Sequence, residues 1–105
     1  MEFINKIELC GIVSNPSLSE FQNKRMAAFN LLVETTFKGK DNSVAIESTW
    51  FSCRAFESDS IDIETIQKGN TVHLTGRVRE RRYMNKDGNE VRFFEVICQS
   101  LELAE

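Results

Sequence analysis

Apolar and polar residues alternate along several stretches of this chain. Ile7, Leu9 and Val13 share one parity, with Lys6 and Glu8 on the other. Ala27, Phe29, Leu31 and Val33 keep a single parity, as do Val72, Leu74, Gly76 and Val78, and then Phe94, Val96 and Cys98. Residues 44–56 are rich in β-branched and aromatic types. A strand with one buried face produces this period of two. The pattern predicts five strands, over residues 3–13, 25–35, 44–56, 70–83 and 90–101.

The punctuation between them is equally legible. Asn15-Pro16-Ser17 is a turn signal, Lys38-Gly39-Lys40-Asp41-Asn42 a polar loop, and Asp87-Gly88 a hairpin turn in which Gly takes positive φ. Only the stretch between the third and fourth strands departs from alternation. There Ser58, Asp59 or Ser60 can cap a helix of about two to three turns, with Ile61, Ile63 and Ile66 on its apolar side. Lys68-Gly69 would close it, the glycine left-handed. Three strands, a helix and two strands in 105 residues predict an all-β fold. The expected form is a five-stranded OB barrel with one short helix between strands 3 and 4, and residues 1–105 as a single domain.

Parity also assigns faces. In the third strand Phe51, Cys53 and Ala55 form the small apolar set and read as core. Trp50, Ser52, Arg54 and Phe56 then lie on the other face. In the fourth strand the face opposite the core reads Thr71, His73, Thr75, Arg77, Arg79, Arg81, Tyr83. Two strands thus each present aromatics mixed with guanidinium groups. Flat rings stack bases and cations follow phosphates, so this combination suits a single-stranded nucleic acid. Taken singly the signals are weak: an exposed aromatic in a strand also serves interfaces, and an exposed Arg is more often solvated or ion-paired.

Charge modifies this picture. The net charge of −3 argues against nucleic-acid binding if averaged over the chain. Its distribution is uneven, because residues 77–92 hold Arg77, Arg79, Arg81, Arg82, Lys86 and Arg92 against Glu80, Asp87 and Glu90. A basic region sits on an acidic body.

Other chemistry is thin. Cys10, Cys53 and Cys98 are odd in number and widely spaced, which predicts three reduced core thiols rather than a disulfide framework or zinc site. His73 is the only His, which excludes multi-His metal sites and His-based catalysis; it reads as an ordinary strand residue. No phosphate-loop, zinc-protease or Cys-x-x-Cys motif occurs, so neither an enzyme nor a cofactor is expected. No apolar run reaches the roughly 20 residues of a membrane helix, and residues 1–6 lack a secretory pattern, which predicts a cytoplasmic protein without a membrane partner.

The ordered segments resemble the bacterial-type single-stranded-DNA-binding protein family over nearly the whole chain. They are Asn5-Lys6-Ile7-Glu8-Leu9-Cys10-Gly11, Ala28-Phe29-Asn30-Leu31, Thr49-Trp50-Phe51-Ser52-Cys53-Arg54-Ala55-Phe56, and Lys68-Gly69-Asn70-Thr71-Val72-His73-Leu74-Thr75-Gly76-Arg77-Val78-Arg79. The resemblance implies sequence-independent binding of single-stranded DNA in replication, recombination or repair, on the nucleoid. It implies base stacking on the matching positions Phe37, Trp50, Phe56 and Tyr83. Arg54, Arg77, Arg79, Arg81, Arg82 and Lys86 are then the expected phosphate contacts. It also implies a homotetramer or homodimer. Members usually continue into a disordered tail with an acidic tip that recruits replication and repair proteins. Here the sequence stops at Leu101-Glu102-Leu103-Ala104-Glu105, so that recruitment is not implied. Two other readings stand beside this one. An accessory protein of a replication-restart complex would act mainly through protein contacts, and an oligosaccharide-binding OB module would stack sugars without needing the arginines.

Overall fold

In the computed structural model, which describes residues 1–104, the alternating stretches form strands longer than their patterns: β1 (Ile7–Phe21), β2 (Lys24–Lys38), β3 (Val44–Phe56), β4 (Thr71–Met84) and β5 (Glu90–Leu103). Glu105 lies outside the described residues. The strands close into a barrel in the order β1-β2-β3-β5-β4. Every pairing is antiparallel except β3 with β5, which meet in parallel at Cys53↔Val96 and Arg54↔Ile97. The five-stranded OB barrel expected from the element order is therefore present.

The core is the set that parity selects. Ala27, Phe29, Leu31, Cys53, Ala55, Val72, Leu74, Val96 and Cys98 are buried, with Ile61, Ile63 and Ile66 in the same cluster. Leu31 and Leu74 are wholly inaccessible, and each burial contributes roughly 1.5–3 kcal/mol. In β5 the register slips between Thr75↔Ser100 and Gly76↔Cys98, so Gln99 is an extra residue. The bulge exchanges the faces beyond it, which is why odd-numbered Leu101 joins even-numbered Val96 and Cys98 inside. Two glycines let the barrel bend tightly. A Cβ on Gly11 would stand 2.3 Å from the Leu32 carbonyl oxygen, and one on Gly76 would stand 2.2 Å from that of Ile97.

Several expectations need correction. Asn15-Pro16-Ser17 is not a turn; β1 runs through it with a bulge between Ser14 and Ser17. Asn15 takes φ 51° there, and the bulge accommodates a proline that cannot donate to a ladder. The turn falls at Gln22-Asn23, both with positive φ (50° and 66°), as a two-residue hairpin turn of the right-handed-twist type requires. Residues 3–6 precede β1 and are not strand, although the Asn5 side chain both donates to the Val78 carbonyl (2.7 Å) and accepts from its N–H (2.9 Å).

The two-to-three-turn helix is reduced to one 3₁₀ turn, Ile63–Thr65, capped by Asp62 rather than by Ser58, Asp59 or Ser60. Ile61 bridges Ser58 and Leu101 in extended conformation, so the chain cannot be helical through it. Cys53 and Cys98 are buried and free, as predicted, but Cys10 is exposed. It pairs with His73 on the outer parity of β1. Gly69 and Gly88 take the positive φ expected of them. Among the described residues no helix is long and apolar enough to cross a membrane.

Candidate nucleic-acid interface

Register places the outward residues of four strands side by side. Met26 pairs with Phe56, Ala28 with Arg54, Asn30 with Ser52 and Leu32 with Trp50 across β2 and β3. Arg77 pairs with Ile97, Arg79 with Glu95, Arg81 with Phe93 and Tyr83 with Val91 across β4 and β5. The parallel junction at Arg54↔Ile97 joins the two ribbons into one outer surface.

At its centre is Glu95, almost wholly buried with 2% of its surface exposed. Arg54 Nε donates to its Oε2 at 3.2 Å. Arg79 donates to Oε1 through Nε (3.1 Å) and Nη2, and Arg81 through Nη1 at 3.3 Å. Burial pushes the Glu95 carboxyl up, but the hydrogen bond from Arg79, the charge of Arg54 and the hydrogen bond from Arg81 outweigh it and hold it below the ordinary carboxylate range. Three cations share one anion, so the cluster keeps an excess of positive charge. Each guanidinium carries five N–H donors; Arg54 and Arg81 each spend one on this carboxylate and Arg79 spends two.

The other predicted residues divide. Trp50 is 58% exposed and lines a pocket of about 200 Å³ with Ile7, Phe51, Val78 and Phe94. Phe56 lies beside Arg54 and Arg79 in a second pocket. Tyr83 packs edge-on against Phe93, ring centroids 6.0 Å apart. Arg77 is exposed and, among the described residues, makes no ion pair; the same holds for Lys86 beside the β4–β5 turn. Arg82 has the opposite parity from Arg77, Arg79, Arg81 and Tyr83, and it pairs with Glu80 at 2.8 Å. Phe37 pairs with Ala45 and so shares the face of Phe29 and Leu31, opposite Trp50 on the β2–β3 ribbon. Phe94 has core parity but is 68% exposed, because it lies where β3 and β5 diverge.

Sequence reasoning missed Glu95, Phe21, Met26 and Phe93. The pair Phe93-Phe94 was a signal, since consecutive aromatics in a strand cannot both be inside. Glu95 carried none, because its three partners come from two other strands.

Elsewhere His73 joins β1 to β5: Nε2 lies 2.8 Å from Glu8 Oε2 and Nδ1 3.6 Å from Glu102 Oε1. The hydrogen bond to Glu8 raises its pKa above the ordinary value. Among the described residues no three His, Cys, Asp or Glu side chains cluster to hold a metal ion. Burial pushes both interior thiols up, Cys98 to about 12, leaving neither a thiolate at neutral pH.

Residues 4–104 match the single-strand binding protein family. The chain belongs to that family. Single-stranded DNA-binding protein 1 of Streptococcus agalactiae is 28% identical over 97% of the chain, and the chain spans 63% of that relative's length. Single-stranded DNA-binding protein 1 of Lactococcus lactis is 27% identical over 97% of the chain and 69% of its own length. Among solved structures, the Plasmodium falciparum family member in complex with single-stranded DNA superposes with a TM-score of 0.80 at 19% identity, covering 100% of this chain and 98% of its own. The small single-stranded DNA-binding protein of Streptomyces coelicolor gives 0.73 at 17% identity, over 99% of this chain and 96% of its own. These likenesses between structures rest on the fold.

Proposed function

We propose that this protein binds single-stranded DNA without sequence preference, bases stacking on Trp50, Phe56 and Tyr83 and phosphates lying on Arg54, Arg77, Arg79 and Arg81, with Lys86 at the β4–β5 turn; Phe37 and Arg82, expected from the resemblance, have the opposite parity and are left out of this surface. It is a binding protein, acting on strands exposed in replication, recombination or repair at the nucleoid. The observation that carries the proposal is the continuous outer surface of β2, β3, β5 and β4, where exposed aromatics flank a three-arginine cluster only partly neutralised by Glu95. Family membership supports it. A sugar-binding module would have no use for that excess charge.

The test is titration with oligothymidine, followed by Trp50 fluorescence at several salt concentrations. Saturable quenching by the single strand and little by duplex is expected, since duplex bases are already stacked on each other. Equal quenching by both, or none, would overturn the proposal. Arg77, free of acidic partners, offers a clean probe of phosphate contact. Arg77→Ala should flatten the plot of log affinity against log salt by about 0.7, the share of one phosphate on a single strand. An unchanged slope would remove Arg77 from the interface.

The protein also self-associates in this proposal. Phe3 and Ile4, at 91% and 84% exposure, are apolar side chains with no cover of their own. Sedimentation at micromolar concentration should give a dimer or tetramer; a 12.1 kDa species alone would refute it.

A further inference from the structure

Glu95 has the outward parity of Phe93 and Ile97 on β5, yet almost none of it is exposed. What covers it is basic. The side chains of Arg54, Arg79 and Arg81 keep 33%, 39% and 39% of their surfaces open, while their guanidiniums reach down to the carboxylate. Arg54 comes from β3 and the other two from β4, so no single strand holds the three together. The carboxylate is what they share. A nucleic acid on this surface can touch the arginines and cannot touch Glu95. The cluster is therefore an anion held beneath a site suited to anions. It leaves two positive charges uncompensated, where a neutral residue at this position would leave three. Each arginine still has N–H donors free to point outward.

We infer that Glu95 is a positioning residue that gives this surface its selectivity for single strands over duplex, by fixing the three arginines in one arrangement and cancelling part of their charge. The inference rests on the proposed single-strand binding and assigns that selectivity to a residue that touches no nucleotide. Once its bases are stacked, a single strand brings its phosphates to set places, and it gains from cations already held there. A duplex has no free base to stack and can use this surface only through charge. For the duplex the arrangement of the arginines matters little and their sum matters most, because its phosphates are many and closely spaced. Loss of the anion thus works against one ligand and in favour of the other. A carboxylate that served folding alone would leave the ratio of the two affinities where it was.

Glu95→Gln removes the charge while keeping the size and one oxygen acceptor. Its affinities for a labelled oligothymidine and for a duplex of equal length are read by anisotropy at low salt, after a melting curve shows the variant folded. Single-strand affinity should fall about 2- to 12-fold, the equivalent of ordering one freed arginine side chain on binding. Duplex affinity should rise by up to about fivefold, the equivalent of one more exposed ion pair. For duplex, the plot of log affinity against log salt should steepen by about 0.9, the share of one more phosphate. An unchanged ratio of the two affinities would overturn the inference. Glu95→Asp keeps the charge and withdraws the carboxylate by one methylene, and it serves equally should the Gln variant fail to fold. Its single-strand affinity should still fall, while its duplex affinity stays within about twofold of wild type. Single-strand affinity equal to wild type in Glu95→Asp would overturn the inference as well. A wild type that binds oligothymidine no better than duplex would overturn the single-strand reading itself, and the role of Glu95 with it.

Discussion

Replacing Trp50 by alanine should weaken single-stranded DNA binding by roughly 1–3 kcal/mol, the cost of one stacked base, and barely change folding stability. The indole is 58% exposed, so most of its surface is already in water before DNA arrives. A Trp buried in the core would behave in the opposite way, losing about 3–5 kcal/mol of stability on truncation. Trp50 is the only tryptophan, so the variant must be followed by anisotropy of a labelled oligothymidine rather than by its own fluorescence. A melting curve on the same sample completes the test. A variant that melts far below wild type yet binds normally while folded would take Trp50 off the interface.

Gly76→Ala should destabilise the barrel by about 1–3 kcal/mol, and Gly76→Val by more. The sign is the informative part. Alanine ordinarily gains about 0.5–1 kcal/mol over glycine within a strand, because it restricts the unfolded chain. At Gly76 the new Cβ would stand 2.2 Å from the Ile97 carbonyl oxygen and 3.1 Å from the Cys98 Cα. Both are backbone atoms of the neighbouring strand, so no rotamer change relieves the clash. The β4–β5 ladder would have to part at its own bulge. A urea denaturation midpoint equal to or above that of wild type would show that the strands are not held this closely.

Alternation made the barrel legible because each strand has one face against a single core, and a period of two survives as long as the register does. What it could not show were the places where register changes. The β5 bulge at Gln99 and the β1 bulge near Pro16 are decided by neighbouring strands, and a Pro beside an Asn looks the same in a bulge as in a turn. The Gln22-Asn23 turn lacks glycine and so raised no signal. Ile61 and Ile63, two apart, already fitted an extended segment better than a helix. The candidate surface was legible in kind, because arginines and aromatics of one parity must share a side. Its organisation was not: the meeting of Arg54 with Arg79 and Arg81 on Glu95 depends on the one parallel junction, which links residues more than forty positions apart.

That junction also bears on the mechanics of the molecule. β3 and β5 touch in register only at Cys53↔Val96 and Arg54↔Ile97, whereas β2–β3 and β4–β5 are paired along nearly their full lengths. On that side the two ribbons therefore meet at a narrow seam, while β1 ladders to both β2 and β4 and joins them on the other. Beyond the seam the far ends of β3 and β5 are not laddered to each other, and the Glu95 cluster spans the seam itself. A single strand is a flexible polymer with no fixed path. Arms paired with each other over only two residue positions would follow such a path at less elastic cost than a wall laddered along its whole length.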